Sequence, residues 1–142
     1  MKIFLDANIL VAVLCNEYPL FTRCARVISL SDDPGFEVYT SPLCLAIAWY
    51  FAEKKNGTAV ARKKIGFLAQ QLKITSIDHV VVKAATSDKS VKDFEDGLQY
   101  YSALNAKCQC IVTEDRNDFY FSKIEVLSAE QFLLKHVVKK KP

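Results

Sequence analysis

The chain has 142 residues, 51% of them hydrophobic and 25% charged, which suits one globular domain with a substantial core. Its 19 basic and 16 acidic residues give a net charge of +3, and because Lys139, Lys140 and Lys141 supply three of the basic ones, the body is neutral and global charge gives no reason to expect nucleic-acid binding. No apolar run approaches the roughly 18 residues of a membrane span, and the N terminus does not read as a signal peptide, so a soluble cytoplasmic protein without a membrane partner is expected.

The five cysteines, Cys15, Cys24, Cys44, Cys108 and Cys110, are odd in number and sit mostly inside apolar patterns, as reduced buried thiols do. Cys108 and Cys110 form the one close pair. No second pair stands near them, and His79 and His136 are isolated, so structural zinc is not expected. Two residues apart around a strand, both thiols should enter one apolar layer.

In chain order, Ile3-Phe4-Leu5 reads as a short buried strand, Asp6 as its end, and Asn8 as the start of a helix through Leu14. Asp6 has two readings, a helix cap or a site residue at the carboxyl end of a strand. Pro19 opens a second helix to about Leu30, which Pro34-Gly35 separates from a strand over Phe36–Thr40. Ser41-Pro42 caps and opens a strongly apolar helix, Gly57 ends it, and another helix runs to about Leu72. Ile74-Thr75-Ser76 is a short strand, and Ser76 or Asp78 caps a helix carrying Val80, Val81, Ala84 and Ala85. After a polar loop, Asp93 to about Lys107 is an amphipathic helix with acids gathered in its first turn. Cys110–Thr113 is a buried strand followed by the acidic turn Glu114–Asp118. Ile124–Leu127 is a last strand, and Ser128 and Gln131 form a capping box for a final helix.

Strands separated by helices imply an α/β domain over residues 1–138, with a central parallel sheet, the Asp6 strand in its middle and helices on both faces, followed by a basic tail at 139–142. Lys54-Lys55 and Arg62-Lys63-Lys64 read as solvated helix faces, with phosphate contact as the alternative. There is no glycine-rich phosphate loop.

Asp6, Asp96 and Asp115 share the property of lying at strand ends or helix starts, with Asp93 and Asp118 three residues from the latter two. Each has an ordinary explanation, since acids at a helix start complement the macrodipole and Asp is common in turns. Together they can converge. Two carboxylates about 4 Å apart repel by roughly 4 kcal/mol at an effective dielectric near 20, so such a cluster needs a cation. Without His or Cys nearby, a hard ion such as Mg²⁺ or Mn²⁺ fits.

Three segments carry a resemblance: Phe4-Leu5-Asp6-Ala7-Asn8-Ile9-Leu10, Asp93-Phe94-Glu95-Asp96-Gly97-Leu98 and Ile111-Val112-Thr113-Glu114-Asp115-Arg116-Asn117-Asp118-Phe119. In this order the chain resembles the PIN-domain nucleases, and among them the small bacterial toxins of the VapC type, over nearly its whole length. The resemblance implies a PIN-like three-layer fold and a metal-dependent ribonuclease that hydrolyses RNA phosphodiester bonds. It implies Asp6, Asp96 and Asp115 as metal ligands and catalytic residues, Asp93 and Asp118 as orienting groups, and Asn8 and Ser41 as hydrogen-bond partners of those acids. It also implies a cognate antitoxin and a homodimer. The sequence departs from the pattern at Ile47, which stands where the family carries an acid, and Glu53 is rotated away from that helix face. An aliphatic side chain binds no metal, so the alternative is a weakened or silent PIN-like module that binds RNA or a protein partner.

Overall fold

The computed structural model describes residues 1–138; the basic tail expected at 139–142 lies outside the described residues. Five strands, β1 (Lys2–Leu5), β2 (Glu37–Thr40), β3 (Lys73–Ile74), β4 (Cys110–Val112) and β5 (Glu125–Leu127), form one parallel sheet in the order β3-β2-β1-β4-β5. The central place of β1 follows from its composition. Ile3, Phe4 and Leu5 are all fully buried, as they must be in a strand covered on both faces, where apolar and polar residues need not alternate. Ile3 pairs with Val38 on one side and Cys110 on the other, and Leu5 pairs with Val112. Lys73 and Ile74, at the β3 edge, are exposed.

The helices are α1 (Ala7–Leu14), α2 (Leu20–Ser29), α3 (Pro42–Asn56), α4 (Thr58–Gln71), α5 (His79–Ser87), α6 (Phe94–Asn105) and α7 (Ala129–Phe132). α1 packs on α2 and α3, α3 on α4, and α2 on α7, whereas α5 and α6 pack on each other. Right-handed crossovers require this division. The chain runs outward from β1 to β3 through α1–α4 and returns to β4 through α5 and α6, which places the two sets on opposite faces.

Local chemistry accounts for most boundaries. Ser41 caps α3 by accepting from the Cys44 N–H at 3.0 Å, Asp78 caps α5, Asp93 caps α6, and Ser128 with Gln131 closes a capping box on α7. Gly57, at φ +87°, turns the chain between α3 and α4, a backbone conformation that costs glycine little. Three expectations shift. α1 begins at Ala7 with Asp6 as its cap, one residue before Asn8; β3 begins at Lys73; and α7 relaxes into a π-type turn over Leu133–Val137.

The lysine and arginine clusters are largely exposed, as solvated helix faces are, but three of their side chains also make contacts within the fold. The Lys64 ammonium donates to the Leu14 carbonyl at 2.8 Å, Lys55 donates to the Cys15 carbonyl, and the Arg62 guanidinium lies over the Trp49 ring at 5.6 Å. Two cations thus satisfy carbonyls at the C-terminal end of α1, where the helix dipole is negative. All five cysteines are buried free thiols.

Candidate active site

Asp6 leaves β1 where the strand order reverses, between β1 and β4, the place at which open parallel sheets form a crevice. Its two readings prove compatible. One carboxylate oxygen accepts from the Ala7 N–H at 2.8 Å and caps α1; the other accepts from the Thr113 hydroxyl at 2.8 Å. Thr113, fully buried just beyond β4, is the hub of the site. Its oxygen also accepts from the Asn8 side-chain amide at 3.1 Å and from the Asp115 N–H at 3.0 Å. Asn8 completes the lattice by donating to the Asp115 carboxylate at 3.3 Å and accepting from the Glu114 N–H at 3.2 Å. The ends of β1 and β4 are thereby tied together through side chains more than 100 residues apart in sequence.

Asp96 enters from α6. Burial first, and then the charges of Asp93, Asp118, Asp6 and Glu95, push its carboxyl up to about 7. Burial also raises Asp6, opposed by the hydrogen bonds from Thr113 and Ala7 and reinforced by Asp115 and Asp118. Asp118 is raised by its partial burial and by Asp115 and Asp93. The acids expected from the sequence, Asp6, Asp93, Asp96, Asp115 and Asp118, therefore lie within one another's fields. Asp93 also caps α6, accepting from the Asp96 N–H at 3.2 Å.

Ser41 behaves differently from expectation. Its hydroxyl donates to the Gln99 side-chain carbonyl at 2.5 Å, deep in the protein, and makes no hydrogen bond to the acids. Ser41 sits at the foot of α3, and the acid nearest that foot is met by a thiol: Cys44 lies with its sulfur 3.9 Å from the Asp6 carboxylate. Burial and then the Asp6 charge push that thiol up to about 12, so it stays protonated. Ile47, one turn further along α3, is half-buried against the core.

Sequence reasoning missed Thr113 and Gln99. Gln99 is only 2% exposed, an amide buried three residues beyond Asp96, and a polar side chain on the inner stripe of an apolar helix was its one signal. A threonine closing a buried strand carries no comparable signal.

Among the described residues, no three carboxylate, imidazole or thiol side chains stand close enough together to hold a metal ion as they are placed. The donor set nevertheless fits a hard cation, because the groups at the crevice are carboxylate oxygens and Mg²⁺ commonly keeps several waters while binding only one or two carboxylates.

A family model described as PIN domain matches residues 2–117. Ribonuclease VapC1 of Aquifex aeolicus (strain VF5) is 28% identical over 135 residues, which cover 92% of this chain and 92% of that protein. Solved structures of similar fold include VapBC-1 from nontypeable Haemophilus influenzae, with a TM-score of 0.70 and 15% identity over 92% of this chain and 99% of that one. VapBC2 from Rickettsia felis, solved bound to a DNA fragment from its promoter, gives a TM-score of 0.68 at 16% identity over 90% and 98%. VapC20 of Mycobacterium tuberculosis, described as a Sarcin-Ricin loop cleaving toxin, gives 0.61 at 16% over 77% and 86%. With a five-stranded parallel sheet, helices on both faces and a family match spanning Asp6, Asp96 and Asp115, this chain belongs to the PIN domain family.

Proposed function

We propose that this protein is a divalent-metal-dependent endoribonuclease and the toxin of a toxin–antitoxin pair. The observation that carries the reading is the convergence of acids on one crevice: Thr113 and Asn8 tie Asp6 to Asp115, and burial together with neighbouring carboxylates raises Asp6, Asp96 and Asp118. Carboxylates crowded at a crevice raise each other's proton affinity, and a bound cation removes that cost. Similarity to Ribonuclease VapC1 supports RNA as the substrate class.

Asp6, Asp96 and Asp115 would hold Mg²⁺ or Mn²⁺. When bound, the ion activates water and neutralises charge on the phosphate. The chain's own contribution is positioning. Thr113 and Asn8 fix Asp6 and Asp115 relative to one another, α6 presents Asp96 to the crevice, and Asp93 and Asp118 would orient water and the groups around the ion.

An antitoxin partner is supported by the VapBC complexes among the similar structures. A groove of about 910 Å³ lies between α1, α2 and α4, lined by Val13, Leu14, Phe21, Ile28, Phe67 and Leu68 and rimmed by Arg62 and Lys63. It suits an amphipathic segment with acidic flanks. The homodimer that the resemblance implies would cover part of the exposed apolar surface, to which Val80 on α5 contributes. Buried free thiols suit a reducing cytoplasm, and no described helix is long and apolar enough to cross a membrane.

One observation favours a second reading. Ile47, one turn beyond the Cys44 that meets Asp6, is aliphatic where the resemblance implies an acid, and a PIN-like module that binds RNA or protein without cleaving it would have such a site. Cleavage of RNA by purified protein with Mn²⁺, its absence with EDTA, and its loss in Asp96→Asn are expected for the nuclease. Calorimetric titration should show that Ile47→Glu binds Mn²⁺ more tightly than the native chain, since it adds a ligand and a charge. No Mn²⁺ binding by either protein would establish the silent module.

A further inference from the structure

A second cavity, of about 510 Å³, opens on the α5–α6 face, and its lining includes Tyr100, Tyr101, Phe121, Ser87, Asp88 and Lys123. Its walls are aromatic and held in fixed orientations. Tyr101 and Tyr100 meet edge to face at 4.9 Å, Tyr100 and Phe121 at 5.1 Å, and Phe121 and Tyr120 at 5.3 Å. The polar groups around them are equally constrained. Asp88 accepts from the Tyr101 hydroxyl at 2.6 Å and from the Ser90 hydroxyl and N–H, and the Tyr100 hydroxyl accepts from the Lys123 N–H at 3.0 Å. The Tyr120 hydroxyl donates to the Ser90 carbonyl at 2.5 Å, pinning the loop between α5 and α6 against the segment after β4.

We propose that this cavity is a nucleobase subsite, which receives one unpaired base of a single-stranded RNA while the adjoining phosphodiester lies against the acids of the crevice. The inference rests on the ribonuclease reading above and adds to it the place on the protein where one base is held. Three features support it. Position is the first: Tyr100 is four residues beyond Asp96 on α6, on the same helix face and one turn of about 5.4 Å away, so cavity and crevice are neighbours. Chemistry is the second, because the partly exposed rings of Tyr101 and Phe121, backed by the buried Tyr100, together with a few fixed polar groups match a base, and the size falls within the range of small-ligand pockets. Charge is the third. Lys123 lines the cavity, and Lys92 lies 6.0 Å over the ring of Tyr120, whose hydroxyl is bonded to the carbonyl of the lining residue Ser90, so one cation stands in the cavity and a second near its edge. The one acid in the lining, Asp88, is engaged in three hydrogen bonds and held below its ordinary range by them. A paired base has its faces stacked and its edges occupied, so only an unpaired or extruded one can enter.

The test uses short 2′-O-methyl single-stranded RNA of mixed sequence, which resists cleavage, with affinity read by fluorescence anisotropy at constant Mn²⁺. Ser87→Trp fills the mouth from an exposed position, and Lys123→Glu reverses its charge. Each should weaken RNA binding by about tenfold, the scale of one lost base–aromatic stack, while the Mn²⁺ affinity of the RNA-free proteins stays that of the native chain. A duplex of the same sequence should bind the native protein more weakly than the single strand. Native protein irradiated with 4-thiouridine-substituted RNA should cross-link at Tyr101 or Phe121, a readout that needs no variant. Unchanged RNA affinity in both variants, or cross-links confined to other residues, overturns the subsite while leaving RNA cleavage by the native chain intact. Failure of the native chain both to bind and to cleave RNA in millimolar Mn²⁺ overturns the subsite together with the ribonuclease reading.

Discussion

Three of the site's groups meet on the Thr113 hydroxyl, although that side chain carries no charge. Thr113→Val would leave the Asn8 amide and the Asp115 N–H short of an acceptor and Asp6 without its donor. A loss of about 1–3 kcal/mol in urea unfolding is expected, the cost of stranded buried polar groups, with Thr113→Ser close to native. Because the Thr113 bond opposes the upward push of burial on Asp6, removing it raises that carboxyl further and moves Mn²⁺ binding to higher pH, measurable by calorimetry across a pH series. Asp96 makes a prediction of opposite sign for the metal-free fold. Its carboxyl is pushed up to about 7 in the folded protein from the ordinary 3.8 of an aspartate, so between those values the native state holds a proton that the unfolded chain has released. Its contribution to stability therefore falls as pH rises through that window. The full shift would correspond to roughly 4 kcal/mol, and solvent screening of a partly exposed group reduces this to about 1–2 kcal/mol. In EDTA, the native protein should melt lower at pH 8 than at pH 5 relative to Asp96→Asn, which lacks this dependence. The acids themselves were legible because each stands at a strand end or a helix start. Thr113 and Gln99 were not, since a buried hydroxyl or amide is distinguished only by partners 107 and 58 residues away.

Helix α6 carries Asp96 into the crevice, and the adjoining Gly97 determines how closely it lies against its neighbours. A Cβ at Gly97 would meet the Val91 side chain at 2.7 Å and Ala85 at 3.3 Å. Intrinsic helix propensity favours Gly97→Ala by about 1 kcal/mol. The clash outweighs it, because overpacking typically costs about 1–3 kcal/mol, so a lower melting temperature is expected, and RNA cleavage should fall as the start of α6 is displaced from β1. Retained cleavage with unchanged melting would show that the α5–α6 contact yields freely. Most elements could be read from caps and turn residues, since Ser41-Pro42, Asp93 and the Ser128–Gln131 box all act locally. The close contact at Gly97 could not, because nothing local distinguishes a glycine required by a neighbouring helix from one merely tolerated. Likewise, the destinations of Lys55 and Lys64 on α1 are tertiary facts that a run of positive charge does not reveal.

Across the whole molecule, the site joins the two directions in which the sheet grows: β1 supplies Asp6, β4 leads to Thr113 and Asp115, and α6 from the other face supplies Asp96. An ion binding all three would brace the fold at this junction. At ten times its dissociation constant, Mn²⁺ should add about 1.4 kcal/mol by mass action, a rise of roughly 3–6 °C for a domain of this size. Asp96→Asn should diminish that rise, and an equal rise in both proteins would locate the ion elsewhere. The parallel α/β architecture was legible from the alternation of apolar strands and helices, and the position of β1 from its unbroken burial. The hydrogen bonds joining Asp6 to Thr113 and Asn8 to Asp115 also bear on the chain while it is being made. Translation delivers Asp6 and Asn8 first, and their partners emerge from the ribosome more than a hundred residues later, after both α3 and α6. Until then Asp6 lacks the hydroxyl that orients it and the crevice lacks its β4 wall. A polypeptide interrupted before β4 would thus lack the site, and on the ribonuclease reading a ribosome would be shielded from its own product until Thr113 and Asp115 had been made.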